Sequence, residues 1–162
     1  MELLHKVAIK RTHDMQFVKE VMTHPRIWKW ISDDGCSVET FDPVDSDKLY
    51  WLTPVGESRM GVFFVHPHNT VTYEIHTAIL PEYWGNGSDL AAIEVLKWIF
   101  SNTPCQKLIT HVPQNNPFAL RFAKFAGLQI EGINRKSFMK NGQLLDQYLL
   151  GISKEAICQQ PQ

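Results

Sequence analysis

Between residues 71 and 80 side chains alternate with period two, Val71, Tyr73, Ile75, Thr77 and Ile79 standing against Thr72, Glu74, His76, Ala78 and Leu80. Alternation of this kind predicts a strand with two unlike faces, and it puts Glu74 and His76 together on the less apolar one, where they can line a cleft. Shorter runs with the same period are "HKVAIKR" (5–11), "LYWLTPV" (49–55) and "RMGVFFVHP" (59–67). The last two predict a hairpin across "GES". A further short strand is expected at "LITHVP" (108–113), and "RKSFMKNGQLLDQYLLGI" (135–152) predicts a hairpin around Asn141-Gly142.

Helical spacing falls between these strands. "DMQFVKEVM" (14–22) is expected to be helical, with Thr12 offering an N-cap and Pro25 ending or bending the helix, and "RIWKWIS" (26–32) predicts a second short one. Residues 88–101 keep Glu94, Lys97 and Ser101 on one side and Ala92, Val95, Leu96 and Ile99 on the other, stopping before Pro104. "NNPFALRFAKFAG" carries a full set of boundary signals: Asn116 as N-cap, Pro117 at the first helical position and Gly127 past the end. The predicted order is βααβββαβαββ in a single domain, with 33–48 as a loop and 154–162 as a flexible tail.

Composition narrows the function classes. A chain of 162 residues with 44% hydrophobic and 20% charged residues can bury one core of its own. Its formal net charge of -1 offers no general attraction to nucleic acid or anionic membrane, and no run reaches the length of a membrane span. The start "MELLHKVAIKRTHD" lacks a basic stretch followed by an apolar one, so a soluble, cytoplasmic protein is expected. Cys36, Cys105 and Cys158 are an odd number without paired spacing, which predicts reduced thiols rather than a disulfide framework. "HPHN" (66–69) offers two histidines to a metal, but no third or fourth ligand lies near in sequence, so it is taken as a turn and no metal site is expected.

The remaining chemistry centres on "YWGNGSDLA" (83–91), a glycine turn between a strand and a helix. Leu90 stands where a dinucleotide fingerprint needs its third glycine, and Ser88-Asp89 stand where a Walker A loop needs lysine and a hydroxyl residue. What is left is a turn whose backbone N–H groups, at a helix start, can converge on an anion such as a diphosphate.

Three ordered segments, "YEIHTAILPEYWGNGSDLAAIEVL", "HVPQNNPFALRFAKFAGLQIEG" and "NRKSFMKNGQLLDQYLLGI", resemble the GNAT superfamily of acyl-CoA N-acyltransferases, nearest the branch that acetylates ribosomal-protein amino termini. With the weaker amino-terminal part the resemblance covers about residues 5–153. It implies an α/β fold with a mixed, mostly antiparallel sheet flanked by helices, its central strands 71–80 and 108–113 diverging to hold acetyl-CoA. By the same resemblance Trp84, Gly85, Asn86, Gly87 and Ser88 receive the CoA diphosphate, Ala78, Ile79 and Leu80 pair with the pantetheine arm, and Asn116 contacts the cofactor. Arg121 and Lys124 share a helix face that can meet the 3′-phosphate, or simply face solvent.

The reaction so implied is attack of a neutral primary amine on the thioester. Glu74 matches the position of the family's base, with a partly solvated strand carboxylate as the alternative. His76, on the same face, and His111 are further candidates for base or relay, with a simple hydrogen-bonded structural role as the alternative for either. The N–H of Ile79 is the group expected to hold the developing oxyanion. Trp28 and Trp30, with the six acids from Asp33 to Asp47, fall where the family builds its acceptor site; aromatic walls and negative potential suit a cationic amine, while core packing and a soluble loop would also account for them. An amine on a protein, peptide or small molecule is the expected partner, and a homodimer is compatible with the sequence. Three positions depart from the family: Asp89, where glycine or alanine is usual, and Ala119 and Ala123, where relatives place a serine or a tyrosine acid. These departures keep a second reading open, a GNAT-fold binding or assembly module without turnover.

Overall fold

The computed structural model describes residues 6–158. In chain order the elements are β1 (Ala8–Arg11), α1 (Met15–Met22), α2 (Pro25–Ile31), β2 (Tyr50–Val55), β3 (Gly61–Pro67), β4 (Thr72–Ile79), α3 (Ser88–Asn102), β5 (Lys107–Pro113), α4 (Pro117–Phe125), β6 (Gln129–Lys140), β7 (Gln143–Ser153) and α5 (Lys154–Cys158). The predicted order holds, with α5 added where a flexible tail was expected. Ile157 of α5 packs against the core, which gives those residues a reason to fold. Residues 159–162 of the expected tail, and residue 5 of the expected first strand, lie outside the described residues.

Two helix starts differ from expectation. Asp14, not Thr12, caps α1: its carboxylate accepts from Phe17 N–H at 3.1 Å, while Thr12 Oγ1 accepts from Asp14 N–H. A carboxylate at this position answers both the orphan donors and the helix dipole. Pro25 opens α2 at its first position, and α1 has already closed at Thr23. The other signals act as read. Asn116 accepts from Ala119 N–H at 3.1 Å at the start of α4, and Asn141 and Gly142 both adopt positive φ at the β6–β7 turn.

The seven strands form one sheet in the order β1-β2-β3-β4-β5-β7-β6. Every neighbouring pair is antiparallel except β4–β5. That parallel pair is short: Thr72, Tyr73 and Glu74 meet Lys107, Leu108 and Ile109, after which β4 continues to Ile79 and β5 to Pro113 without pairing to each other. The sheet is therefore split in its middle, between the carboxyl halves of β4 and β5.

Alternation assigns the faces. Phe63, Val65, Tyr73, Ile75 and Ile79 join Ala91, Val95 and Ile99 of α3 and Ala123 of α4 in the larger core. Trp51, Val62 and Ala78 face the other way, against Val18 and Val21 of α1 and Ile27 of α2. Full burial of each large aliphatic side chain contributes about 1.5–3 kcal/mol, so β4 is held from both faces of the sheet. Gly61 lets β3 and β4 approach closely at this point, since a Cβ there would stand 2.3 Å from the Ala78 carbonyl oxygen. No helix among the described residues is long and apolar enough to cross a membrane.

Candidate functional site

The split exposes unpaired backbone. In the β3–β4 ladder Gly61 faces Ile79, and Leu80 N–H donates to the Met60 carbonyl at 2.9 Å. In an antiparallel ladder successive residues turn their polar groups to alternate sides, so Leu80 and Ala78 point theirs at β3 while Ile79, Thr77 and Ile75 point theirs into the split. Two contacts bear this out: Thr110 Oγ1 on β5 donates to the Ile75 carbonyl at 2.9 Å, and Trp84 Nε1 donates to the Ile79 carbonyl at 2.7 Å. Both bonds satisfy carbonyls and leave the N–H groups of Thr77 and Ile79 directed at the gap.

Glu74 sits where the strands part. Its side chain belongs to the α1–α2 face of β4 and is 9% exposed, so it is no solvated strand carboxylate. Oε1 lies 2.5 Å from His111 Nδ1 on β5. Oε2 faces three more imidazoles: His76 Nε2 and His68 Nε2 at 3.5 Å and His66 Nε2 at 3.7 Å. Burial pushes the Glu74 carboxyl up, but the His111 hydrogen bond and the charges of His76, His111 and His68 outweigh it, and the net direction is down. Burial drives His76 and His66 the other way, below the usual imidazole range, against the pull of Glu74. These directions favour an ionised Glu74 carboxylate beside unprotonated His66 and His76 rings, whose Nε2 atoms share a hydrogen bond at 3.1 Å.

The glycine turn closes one end of the gap. Gly85 and Gly87 hold φ of 70° and 91°, the left-handed region that glycine enters without strain. Gly87 is the N-cap of α3 and supplies no side chain, so the first-turn N–H groups of this 15-residue helix have no side-chain partner. Trp84 is anchored through its indole N–H and carries Arg26 over its ring at 4.8 Å. Asp89 is exposed in the first turn of α3.

One cleft of about 1190 Å³ joins these parts. Of the residues singled out in the sequence, its wall brings together Glu74, His76, His111, Ala78, Ile79, Trp84, Gly85, Ser88, Asp89, Asn116, Arg121, Trp28 and Trp30. Leu80, Asn86 and Gly87 are not part of that wall, nor is Lys124. At the far end Phe41 meets Trp28 edge-on, ring centroids 5.5 Å apart, and Phe118 meets Trp30 at 6.3 Å. The acidic loop contributes less than its composition suggests. Asp34 accepts from Asn141 and Gly142 N–H at 2.9 and 2.8 Å, clasping the β6–β7 turn, Asp45 pairs with His13, and none of the six carboxylates lines the cleft. Its acidic lining is Glu74 and Asp89 alone among the described residues.

His66 and His68 of "HPHN", which the sequence alone assigns to a turn, stand beside Glu74. A hairpin turn at 68–71 sets His66 opposite Glu74 and Phe64 opposite His76, so the β3–β4 register was the signal that could have found them.

No family model matches the chain, and no curated protein matches it in sequence. Solved structures do match in shape. The spermidine N-acetyltransferase from Vibrio cholerae, in complex with CoA and spermine, superposes with a TM-score of 0.76 over 94% of this chain and 98% of its own, at 16% identity. A GNAT-family acetyltransferase from Bacillus anthracis gives 0.70 over 93% and 96%, at 22% identity. One from Streptococcus pneumoniae gives 0.70 over 91% and 99%, at 16% identity. The chain has the GNAT fold.

Proposed function

We propose that this GNAT-fold chain is an acetyl-CoA-dependent N-acetyltransferase acting on a primary amine by direct attack. One observation carries the reading: a split sheet with the N–H groups of Thr77 and Ile79 directed into it has the Glu74–His111 pair at its apex and an uncapped helix start at its mouth, all on one cleft wall. That the fold neighbours include acetyltransferases, one of them bound to CoA, supports it.

The residues fit that cofactor. The first-turn N–H groups of α3, with Gly85 and Ser88, suit a diphosphate, and the backbone of Thr77 and Ile79 suits the amides of a pantetheine arm. Arg121, exposed on α4 and on the cleft wall, suits a further phosphate. Asp89 opposes the fit by its charge alone. Acetyl-CoA, when bound, supplies the acetyl group as a thioester.

The chain's own residues handle the proton. An ammonium with a pKa of roughly 8–10 must lose its proton before it can attack. Glu74 and His76, ionised and neutral respectively, are the acceptors on the wall, while His111 holds Oε1 and fixes the carboxylate plane. Ile79 N–H is oriented to receive charge on the acyl oxygen. The aromatic end formed by Trp28, Trp30, Phe41 and Phe118 holds the acceptor. With so few carboxylates on the wall, the chain favours an amine on an apolar or peptide body over a polycation. Ala119 and Ala123, both on the wall, offer no hydroxyl to protonate a leaving thiolate, and this favours the binding-module reading as the second choice.

Calorimetric titration with CoA, followed by an acetylation assay on dipeptides, arylalkylamines and spermidine, tests the reading. Binding with turnover, best on the apolar or peptide amines, is expected. No binding at millimolar CoA overturns it, and binding without turnover on any amine selects the binding module.

A further inference from the structure

The "HPHN" histidines serve no step of the reaction above, yet they converge with Glu74 and His76 from two neighbouring strands. His66 Nε2 lies 3.1 Å from His76 Nε2, and Glu74 Oε2 lies 3.7 Å and 3.5 Å from these two nitrogens. The three ligand atoms fall within 4.8 Å of one another. A tetrahedral zinc ion with bonds of about 2.0–2.1 Å requires ligand atoms roughly 3.3 Å apart, and the three observed edges bracket that length. Their chemistry suits the same ion, two imidazoles and one carboxylate.

The surroundings hold these atoms in place. The imidazoles of His66 and His76 are nearly parallel, 10° between planes, and both stack on Phe64, which holds their Nε2 atoms 3.1 Å apart in a hydrogen bond that an ion would replace. His111 occupies Glu74 Oε1, which fixes the carboxylate and leaves Oε2 turned to the imidazoles; a ligand held by an outer hydrogen bond is what tunes metal sites elsewhere. His68 Nε2 stands 3.5 Å from the same oxygen.

We propose that His66, Glu74 and His76 form a binding site for a divalent transition-metal ion, with Zn²⁺ the ion that the donor set and spacing suit best. An ion there takes up Glu74 Oε2 and His76 Nε2, the lone pairs assigned above to proton removal, so occupancy and acetyl transfer oppose each other. That consequence rests on the acetyltransferase reading; the binding itself does not.

The test uses the full chain after chelator treatment, titrated with Zn²⁺ by calorimetry and with Co²⁺ by visible absorption, with CoA binding measured in parallel. One ion per chain and the intense visible bands of low-coordinate Co²⁺ are expected. His66→Gln and His76→Gln should each weaken binding more than about 10-fold, while His13→Gln, on the exposed Asp45 pair, should not change it. Nitrogen-15 NMR of the wild-type imidazoles guards against variants that fail to fold: Zn²⁺ must shift His66 and His76. No heat and no visible bands, undiminished affinity in folded His66→Gln and His76→Gln proteins, or shifts confined to other histidines overturns the site. A chain that binds CoA but no metal loses this inference alone, and one that binds metal but no CoA loses the acetyltransferase reading alone.

Discussion

Glu74 Oε1 and His111 Nδ1 lie 2.5 Å apart across a sequence separation of 37, at the last paired position before β4 and β5 part. The contact joins the two strands where the cleft begins, so the residue placed to take a proton is also placed by the fold. Glu74→Gln keeps the shape and removes the charge. Turnover with the best amine should fall by about 10²–10⁴, the usual worth of a positioned base, while CoA affinity measured by calorimetry stays within about 2-fold. An equal loss in both would mean that Glu74 shapes the cofactor site instead.

Asp34 predicts an acid-side effect. The backbone N–H groups of Gly142 and Asn141 hold its carboxyl below the usual range. A carboxylate whose folded pKa is depressed contributes stability above its unfolded value, near 4, and loses it as pH falls through the folded one. Urea midpoints for the wild type should therefore drop between pH 5 and pH 3 more steeply than those of Asp34→Asn. Parallel curves would show that the clasp between the 33–48 loop and the β6–β7 turn adds nothing to stability.

Cys105 predicts an alkaline one. Its side chain is fully buried in the larger core and burial pushes the thiol up to about 11. Over the window from the ordinary thiol value of 9.0 to about 11 the unfolded chain gives up this proton while the folded chain keeps it, so stability falls as pH rises. The full loss on passing through that window is on the order of 3 kcal/mol, and Cys105→Ala should remove that share of the slope. The exposed Cys36 should react with a thiol reagent in native protein while Cys105 reacts only after unfolding. Rapid native labelling of both would contradict the burial argument.

Legibility in the sequence followed the range of the forces involved. Alternation in β4 and the Asn116-Pro117 and Asn141-Gly142 signals are local, and they placed the elements, the face of Glu74 and the glycine turn. The resemblance added the split between β4 and β5, which no local pattern encodes because it depends on where pairing stops. Cross-strand register was harder to read. The His66–Glu74 pairing and the Asp34 clasp, 107 residues from Asn141, arise from tertiary contacts, and so the histidines read as a turn and the acids as either an acceptor wall or a soluble loop. Asp14, which takes the cap from Thr12, also pairs with Arg59, far along the chain, at 2.9 Å.

Asp89 carries the prediction that best separates charge from fold. It stands in the first turn of α3, exposed and on the wall of the cleft, where its carboxylate favours the helix dipole by about 0.3–1 kcal/mol and repels a diphosphate drawn to the same N–H groups. At 4 Å that repulsion ranges from about 1 kcal/mol in water to about 4 kcal/mol at a protein surface, and an exposed side chain belongs near the lower figure. Asp89→Ala should therefore tighten CoA binding by roughly 3–10-fold and lower the melting temperature of the free protein slightly, two effects of opposite sign from one substitution. The gain in affinity should shrink as salt is raised, since the lost repulsion is screened. Unchanged or weaker binding by calorimetry would show that the diphosphate does not sit at this helix start.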